Sequence, residues 1–156
     1  MDAIDSKILE VLQENSRVSI SDLSKQVNLS LSAVSERLKK LESSNIIDKF
    51  TVILDSKALG QELSVLMNIS LENPRDTEEF LEIINNENEI LECHYVTGEY
   101  DYILRITTRN TATLEALMNR IKAIPKIKRT QTNVILSTLK QKYSVSPKNA
   151  VSINYK

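Results

Sequence analysis

Apolar positions recur with helical spacing through the first third of the chain. Ile4, Ile8, Val11 and Leu12 form one stripe, opened by Asp2 with Asp5 three residues later, which predicts a helix ending near Asn15-Ser16. Ser19-Ile20-Ser21-Asp22 starts a second, shorter helix with Leu23 and Val27 inward, and Asn28 tolerates the left-handed conformation needed at its end. Asn28 to Leu41 then reads as a tight turn feeding a third helix. Ser30 stands at the N-cap, Val34, Leu38 and Leu41 share one side, and Ser32, Glu36, Lys39 and Ser43 share the other, with Ser35 and Lys40 on the flanks. Asn45 is again a left-handed stop. Three helices in about 45 residues, with a tight turn between the second and third, make a helix-turn-helix arrangement.

After the third helix the period shortens. Residues 46–55 are β-rich, with Phe50, Val52 and Leu54 alternating against Lys49, Thr51 and Ile53, and read as a wing or an arm leading out of the helices. The linker is expected at 51–60, whose last residue is Gly60. From Gln61, Leu63, Val65, Met67, Ile69 and Leu71 alternate as a strand with one buried face, which Asn73-Pro74 breaks. A helix from about Thr77 carries Phe80, Leu81, Ile83 and Ile84 inward and Glu78, Glu79 and Glu82 outward. Strands follow at Ile90–Val96 and Tyr100–Thr107, joined by the turn Thr97-Gly98-Glu99. Asn110-Thr111 caps a helix with Leu114, Leu117, Met118 and Ile121, closed by Pro125, and Lys128–Leu139 is the last strand. The order β-α-β-β-α-β is that of a ferredoxin-like unit, so the fold class is α+β: a helix-turn-helix domain over 1–50 and a ferredoxin-like domain over 61–142. Residues 143–156 have no clear period and read as a tail over the sheet or a partly ordered extension.

Composition narrows the function classes more than it selects one. The first residues have neither a basic nor an apolar leader, and apolar runs are short, so the chain is expected to be soluble and, with a single cysteine, at home in a reducing cytoplasm. Cys93 and His94 are adjacent on a strand and point to opposite faces, which rules out a catalytic pair and, with no further His or Cys, a structural zinc site. The two glycines, Gly60 and Gly98, write no phosphate-cradling loop or dinucleotide fingerprint. No catalytic set, cofactor or metal is therefore expected. The net charge of −1 conceals an uneven distribution: residues 1–50 carry 7 basic and 8 acidic side chains, 51–124 carry 6 and 13, and 125–156 carry 7 and none. A strongly basic first domain, the usual footprint of nucleic-acid binding, is missing. DNA as partner has to rest on pattern.

Several runs together carry a resemblance. In the first domain they are Asp5-x-x-Ile8-Leu9, Asn15-Ser16-Arg17-Val18, Asp22-Leu23-Ser24, Leu29-Ser30-x-Ser32-x-Val34-x-x-Arg37-Leu38-x-x-Leu41-Glu42 and Ile46-Ile47. In the second they are Thr97-Gly98-Glu99-Tyr100-Asp101-Tyr102 and Thr130-Gln131-Thr132-x-x-Ile135-Leu136-Ser137. In this order, over Asp2 to about Lys142, the chain resembles the leucine-responsive/asparagine-regulator (Lrp/AsnC) transcription factors. Family members usually have proline where Leu31 stands and glycine where Asn45 stands; the two departures cost about 1 kcal/mol together on the propensity scale and leave the fold open to the sequence.

The resemblance implies a sequence-specific DNA-binding regulator whose third helix reads DNA through Ser30, Ser32, Ala33, Ser35, Glu36, Arg37, Lys39 and Lys40. Ser32, Ser35 and Lys39 suit phosphate or base-edge contacts and Lys40 suits phosphate, while Glu36 either accepts from a cytosine amino group or pairs with Lys40 four residues on. Arg37 sits on the shoulder of the apolar stripe, where it either braces the helices by an ion pair or touches DNA. The resemblance further implies that Thr97, Gly98, Glu99, Tyr100 and Asp101, with Thr132 of the last strand, hold a small amino-acid effector between dimers. Leu66, Ile103 and Ile135, apolar on the nominally outer sheet face, point to a homodimer formed through that sheet, which in similar proteins assembles into a tetramer of dimers. Two other readings stay open: an amino-acid-sensing or small enzymatic ferredoxin-like domain whose helices only mediate assembly, and a winged helix that binds protein.

Overall fold

The computed structural model describes residues 1–73 and 77–149, which fall into two compact units. The first holds residues 1–52 together with the described residues from 140 onward; the second spans Ile53–Leu139. The sequence places the second domain's end at 142, three residues beyond Leu139, where the second unit ends.

The first unit contains α1 (Ala3–Glu14), α2 (Ile20–Val27) and α3 (Leu31–Ser43). Asp2 and Asp5 start α1 by a reciprocal capping box: the Asp5 N–H donates to Asp2 Oδ1 at 2.8 Å and the Asp2 N–H donates to Asp5 Oδ2 at 3.0 Å. The turn between α2 and α3 needs three residues because each end is satisfied locally. Asn28 ends α2 in the left-handed conformation at φ 55°, its N–H returning to the Ser24 carbonyl, and Ser30 caps α3. Ile8, Val11, Leu23, Val34 and Leu41 form the buried centre, flanked by Ile4, Leu38, Ile46, Ile47 and others. Asn45, at φ 56°, makes the stop expected after α3.

The second unit contains β1 (Leu63–Leu71), α4 (Thr77–Asn85), β2 (Ile90–Tyr95), β3 (Tyr102–Thr108), α5 (Thr111–Lys122) and β4 (Ile127–Val134). The sheet runs β2-β3-β1-β4, antiparallel throughout, and one of its faces is buried. Val65, Met67, Ile69, Leu104 and Ile106 from that face pack with Phe80 and Ile84 of α4 and Leu114, Leu117 and Ile121 of α5. Arg120 on α5 grips Glu87 with two bonds of 2.8 Å and reaches Glu89 at 3.2 Å, fastening the entry to β2.

Two expectations for strands fail in the single chain. Residues 48–55 form no strand, leaving Phe50, Val52, Ile53 and Leu54 more than half exposed. β4 stops at Val134 where the pattern ran to Leu139; the Ile135 N–H still reaches the Ser64 carbonyl at 2.9 Å, but Leu136 and Leu139 are 95% exposed. Both stretches have β-type sequence, and among the described residues neither pairs with a neighbouring strand. The C-terminal segment also departs from a tail over the sheet: a short 3-10 turn at Pro147–Asn149 packs on α1. The Pro74 break lies outside the described residues.

Candidate nucleic-acid interface and effector loop

The third helix presents the face its pattern predicts. Val34 and Leu41 are buried, whereas Ser32, Glu36, Lys39, Lys40 and Ser43 are exposed and Ala33 and Ser35 are partly so. Ser30 Oγ accepts the Ala33 N–H at 3.2 Å and lies 3.0 Å from Ser32 Oγ, which orders both hydroxyls at the positive end of the helix dipole. Among the described residues Lys39 makes no ion pair. A hydroxyl-lined helix start followed about two turns later by the adjacent ammonium groups of Lys39 and Lys40 can take phosphate oxygens and lay small side chains against base edges.

Arg37 does not join that face. Its Nη1 donates to Asp2 Oδ2 at 2.7 Å and to Asp5 Oδ1 at 2.6 Å, so the guanidinium ties the middle of α3 to the start of α1. Asp5 is 8% exposed by its side chain and Asp2 53%, which makes the triad half internal. The Asp5 backbone N–H, and after it the Arg37 guanidinium, hold the Asp2 carboxyl below its ordinary value, and the two carboxylates raise Arg37. Of the two roles left open by the sequence, this geometry supports the brace. An open groove of about 510 Å³ runs beside it, lined by Met1, Asp2, Asp5, Ala33, Glu36, Arg37 and Lys40.

In the second unit the loop from Thr97 to Asp101 folds across the end of β1. The Asp101 N–H donates to the Ile69 carbonyl and its Oδ2 accepts the Leu71 N–H, both at 2.9 Å. Asp101 is therefore a half-buried anchor, where a simple hairpin turn would leave it solvated. Gly98 takes φ 125°, a backbone that L side chains rarely adopt. The sequence missed Arg129: its Nη2 bonds Glu99 Oε1 at 2.6 Å and its guanidinium stacks on Tyr100, 4.4 Å from the ring centroid. A cation at the start of the last strand, facing an acidic loop, was the available signal.

Thr132 stands apart from this cluster. It pairs with Met67, whereas the loop meets Ile69 to Leu71 and Arg129, and Thr132 Oγ1 is buried with no hydrogen-bond partner among the described residues. The loop thus gathers two carboxylates, a guanidinium and a phenol without Thr132. Cys93 faces the core opposite Leu104 and His94 the outer side opposite Ile103, as the strand alternation requires; burial pushes the Cys93 thiol up. On the outer face Glu92 bonds Arg105 at 2.5 Å and His94 at 3.1 Å, and these partners, Arg105 foremost, hold its carboxyl at about 2. Among the described residues no group of His, Cys, Asp and Glu is arranged to hold a metal ion, and no helix is long and apolar enough to cross a membrane.

Comparison with known proteins agrees with both halves of this geometry. A winged helix-turn-helix DNA-binding profile matches residues 1–48, and the Lrp/AsnC ligand binding domain matches residues 64–145. The chain is 37% identical over 144 residues to the leucine-responsive regulatory protein of Haemophilus influenzae, covering 90% of this chain and 87% of that one. It is 36% identical over 148 residues to the transcriptional regulator AzlB of Bacillus subtilis, covering 93% and 94%. A Neisseria meningitidis transcriptional regulator, solved as its L-Met complex, superposes with a TM-score of 0.88 at 28% identity, covering 93% of this chain and 96% of that one.

Proposed function

The chain belongs to the Lrp/AsnC family of helix-turn-helix transcriptional regulators, and from that premise we propose that it reads DNA with the exposed face of α3 and binds an amino acid at the Thr97–Asp101 loop. It is a regulator and not an enzyme. Ser30, Ser32, Ala33 and Ser35 approach the groove at the helix start, Glu36 meets a base edge, and Lys39 and Lys40 take phosphates. Arg37 acts through α1 and holds the reading helix at its angle. The clamp of the loop onto β1 carries the effector reading: Glu99 and Asp101 offer carboxylates to a ligand ammonium, and Arg129 with the loop N–H groups offers partners to its carboxylate. The Neisseria regulator, solved with L-Met, supports the ligand class.

The working unit in this reading is a homodimer in the cytoplasm, formed through the outer sheet face on which Leu66, Ile103 and Ile135 lie, and assembling further into a tetramer of dimers. A ligand bound between dimers then shifts the balance of assemblies and the spacing of paired α3 helices along the duplex. A thermal-shift screen against the amino acids tests the effector half, since a ligand at 100 times its dissociation constant stabilises by roughly 2.7 kcal/mol. With the ligand so found, Asp101→Asn keeps an acceptor for the Leu71 N–H and removes the charge, so calorimetry is expected to show affinity falling at least tenfold, about 1.4 kcal/mol. Unchanged affinity sinks the assignment of Asp101.

A further inference from the structure

The start of α3 carries one residue that the polar pattern of its exposed face does not explain. Leu31 is the first helical residue after the Ser30 cap, and it is 54% exposed. Among the described residues, the apolar side chains packed on the core of this unit include Leu29 and Leu38 and leave Leu31 out. Nor does the position itself ask for leucine: proline serves a first helical residue best, through its preset φ and missing N–H. A single exposed leucine elsewhere on the surface would need no explanation. This one stands between Ser30 and Ser32, whose hydroxyls lie 3.0 Å apart, and one turn before Ser35, with which it shares a flank of the helix. Cα–Cβ bonds tilt toward a helix's N-terminus, so the leucine is offered at the end whose residues meet base edges when such a helix lies in the major groove.

We propose that Leu31 reads a thymine by its C5-methyl group and so fixes the identity of one base in the half-site, a role that rests on the reading of α3 as the helix in the groove. Of the groups that base pairs present in the major groove, the thymine methyl alone is apolar; the others donate or accept hydrogen bonds. The leucine side chain has neither a donor nor an acceptor for those groups, and covering one of them would strip its water without replacing it. Against the methyl, the same side chain removes apolar surface of both partners from water. Cytosine, which presents an amino donor at the corresponding edge, is disfavoured on both counts. The serine hydroxyls and lysines of α3 then hold the helix on the backbone and the polar edges, and Leu31 discriminates among bases where they cannot.

The test is a double-mutant cycle between protein and DNA, using the full chain and the duplex footprinted upstream of its own gene. Each thymine of one half-site is replaced in turn by deoxyuridine, which lacks only the methyl. The wild type is expected to lose about fourfold in affinity at one of these thymines, the scale of one buried methyl group. Leu31→Ala is expected to bind the unmodified duplex at least about fourfold more weakly and to be indifferent to uracil at that position. Leu31→Met keeps the apolar reach and is expected to keep the sensitivity. The salt slope of Leu31→Ala stays that of the wild type, because no phosphate contact is lost. A leucine that only steadies the helix start would, when truncated, weaken binding to both duplexes equally; the absence of coupling overturns the proposal, as does a wild type that is sensitive at no thymine. Lys39→Ala, measured beside these, tells two failures apart. A reduced salt slope with no coupling at Leu31 removes the leucine and leaves α3 in the groove, whereas an unchanged slope removes the reading of α3 and the proposal with it.

Discussion

Replacing Arg37 by methionine separates bracing from DNA contact. Methionine keeps the apolar stem and removes the guanidinium, leaving the Asp5 side chain, only 8% exposed, without the cation it meets at 2.6 Å and next to the Asp2 carboxylate. Removing one partner of a fully buried pair costs roughly 3–5 kcal/mol. Arg37 is 29% exposed and Asp2 53%, so water screens much of that, and the scale of a charge-assisted hydrogen bond, about 1.5–3 kcal/mol, applies instead. We expect the helical unit to lose about 2 kcal/mol, which for a unit of this size lowers its melting point by roughly 8–16 °C. The DNA response is expected to differ in kind. A lost phosphate contact lowers the slope of log affinity against log salt by about 0.9, and a guanidinium committed to Asp2 and Asp5 releases no counterions. Amide exchange across α1 and α3, measured beside a salt titration of DNA binding, reads both effects. A slope reduced by about 0.9 with exchange unchanged would refute the brace.

Three further outcomes follow from particular contacts. Thr132→Val removes a buried hydroxyl that has no partner among the described residues, so thermal unfolding is expected at the same temperature or higher, by up to about 1 kcal/mol of added stability; a clear loss would mean that the hydroxyl is satisfied in the native protein. Glu92 is held at about 2, below the roughly 4.3 of an unfolded glutamate, so its contribution is complete above the unfolded value and lost as pH falls from there toward 2. Glu92→Gln is expected to flatten the acid limb of stability over that window, and an unaltered limb contradicts the pairing with Arg105. Gly98→Ala meets no atom within 4 Å but is forced to φ 125°, and is expected to destabilise by about 1–3 kcal/mol in urea titration, whereas an unchanged midpoint would show that the turn relaxes.

Most of the fold was legible because the pattern and the caps agree locally. Asp2, Ser19, Ser30 and Asn110 start helices where they were placed, Asn28 and Asn45 stop two of them, and the alternation from Leu63 to Leu71 gives the buried face of β1. The misses concern partners distant in sequence. Residues 48–55 and 135–139 carry strand-type sequence, and whether such a stretch pairs depends on a neighbour that its own pattern does not specify. The C-terminal segment has no period because its attachment uses one proline, one backbone carbonyl and one lysine on α1. In the candidate sites the exposed face of α3 followed from helical spacing, while the partners of Arg37 lie 32 and 35 residues away and could not be read from the wheel. Thr132 is grouped with the loop by the family resemblance and by no pattern in the residues themselves; the strand register carries it to Met67 and brings Arg129 to the loop instead.

The central claim, that α3 reads DNA through its Ser32-to-Lys40 face, is tested most directly by a salt titration of Lys39→Ala against the wild type on the duplex from upstream of the chain's own gene. Loss of one phosphate contact is expected to weaken binding on specific and nonspecific duplexes alike and to reduce the magnitude of the salt slope by about 0.9. A slope and affinity equal to the wild type's would remove Lys39 from the interface and contradict the placement of that face on DNA.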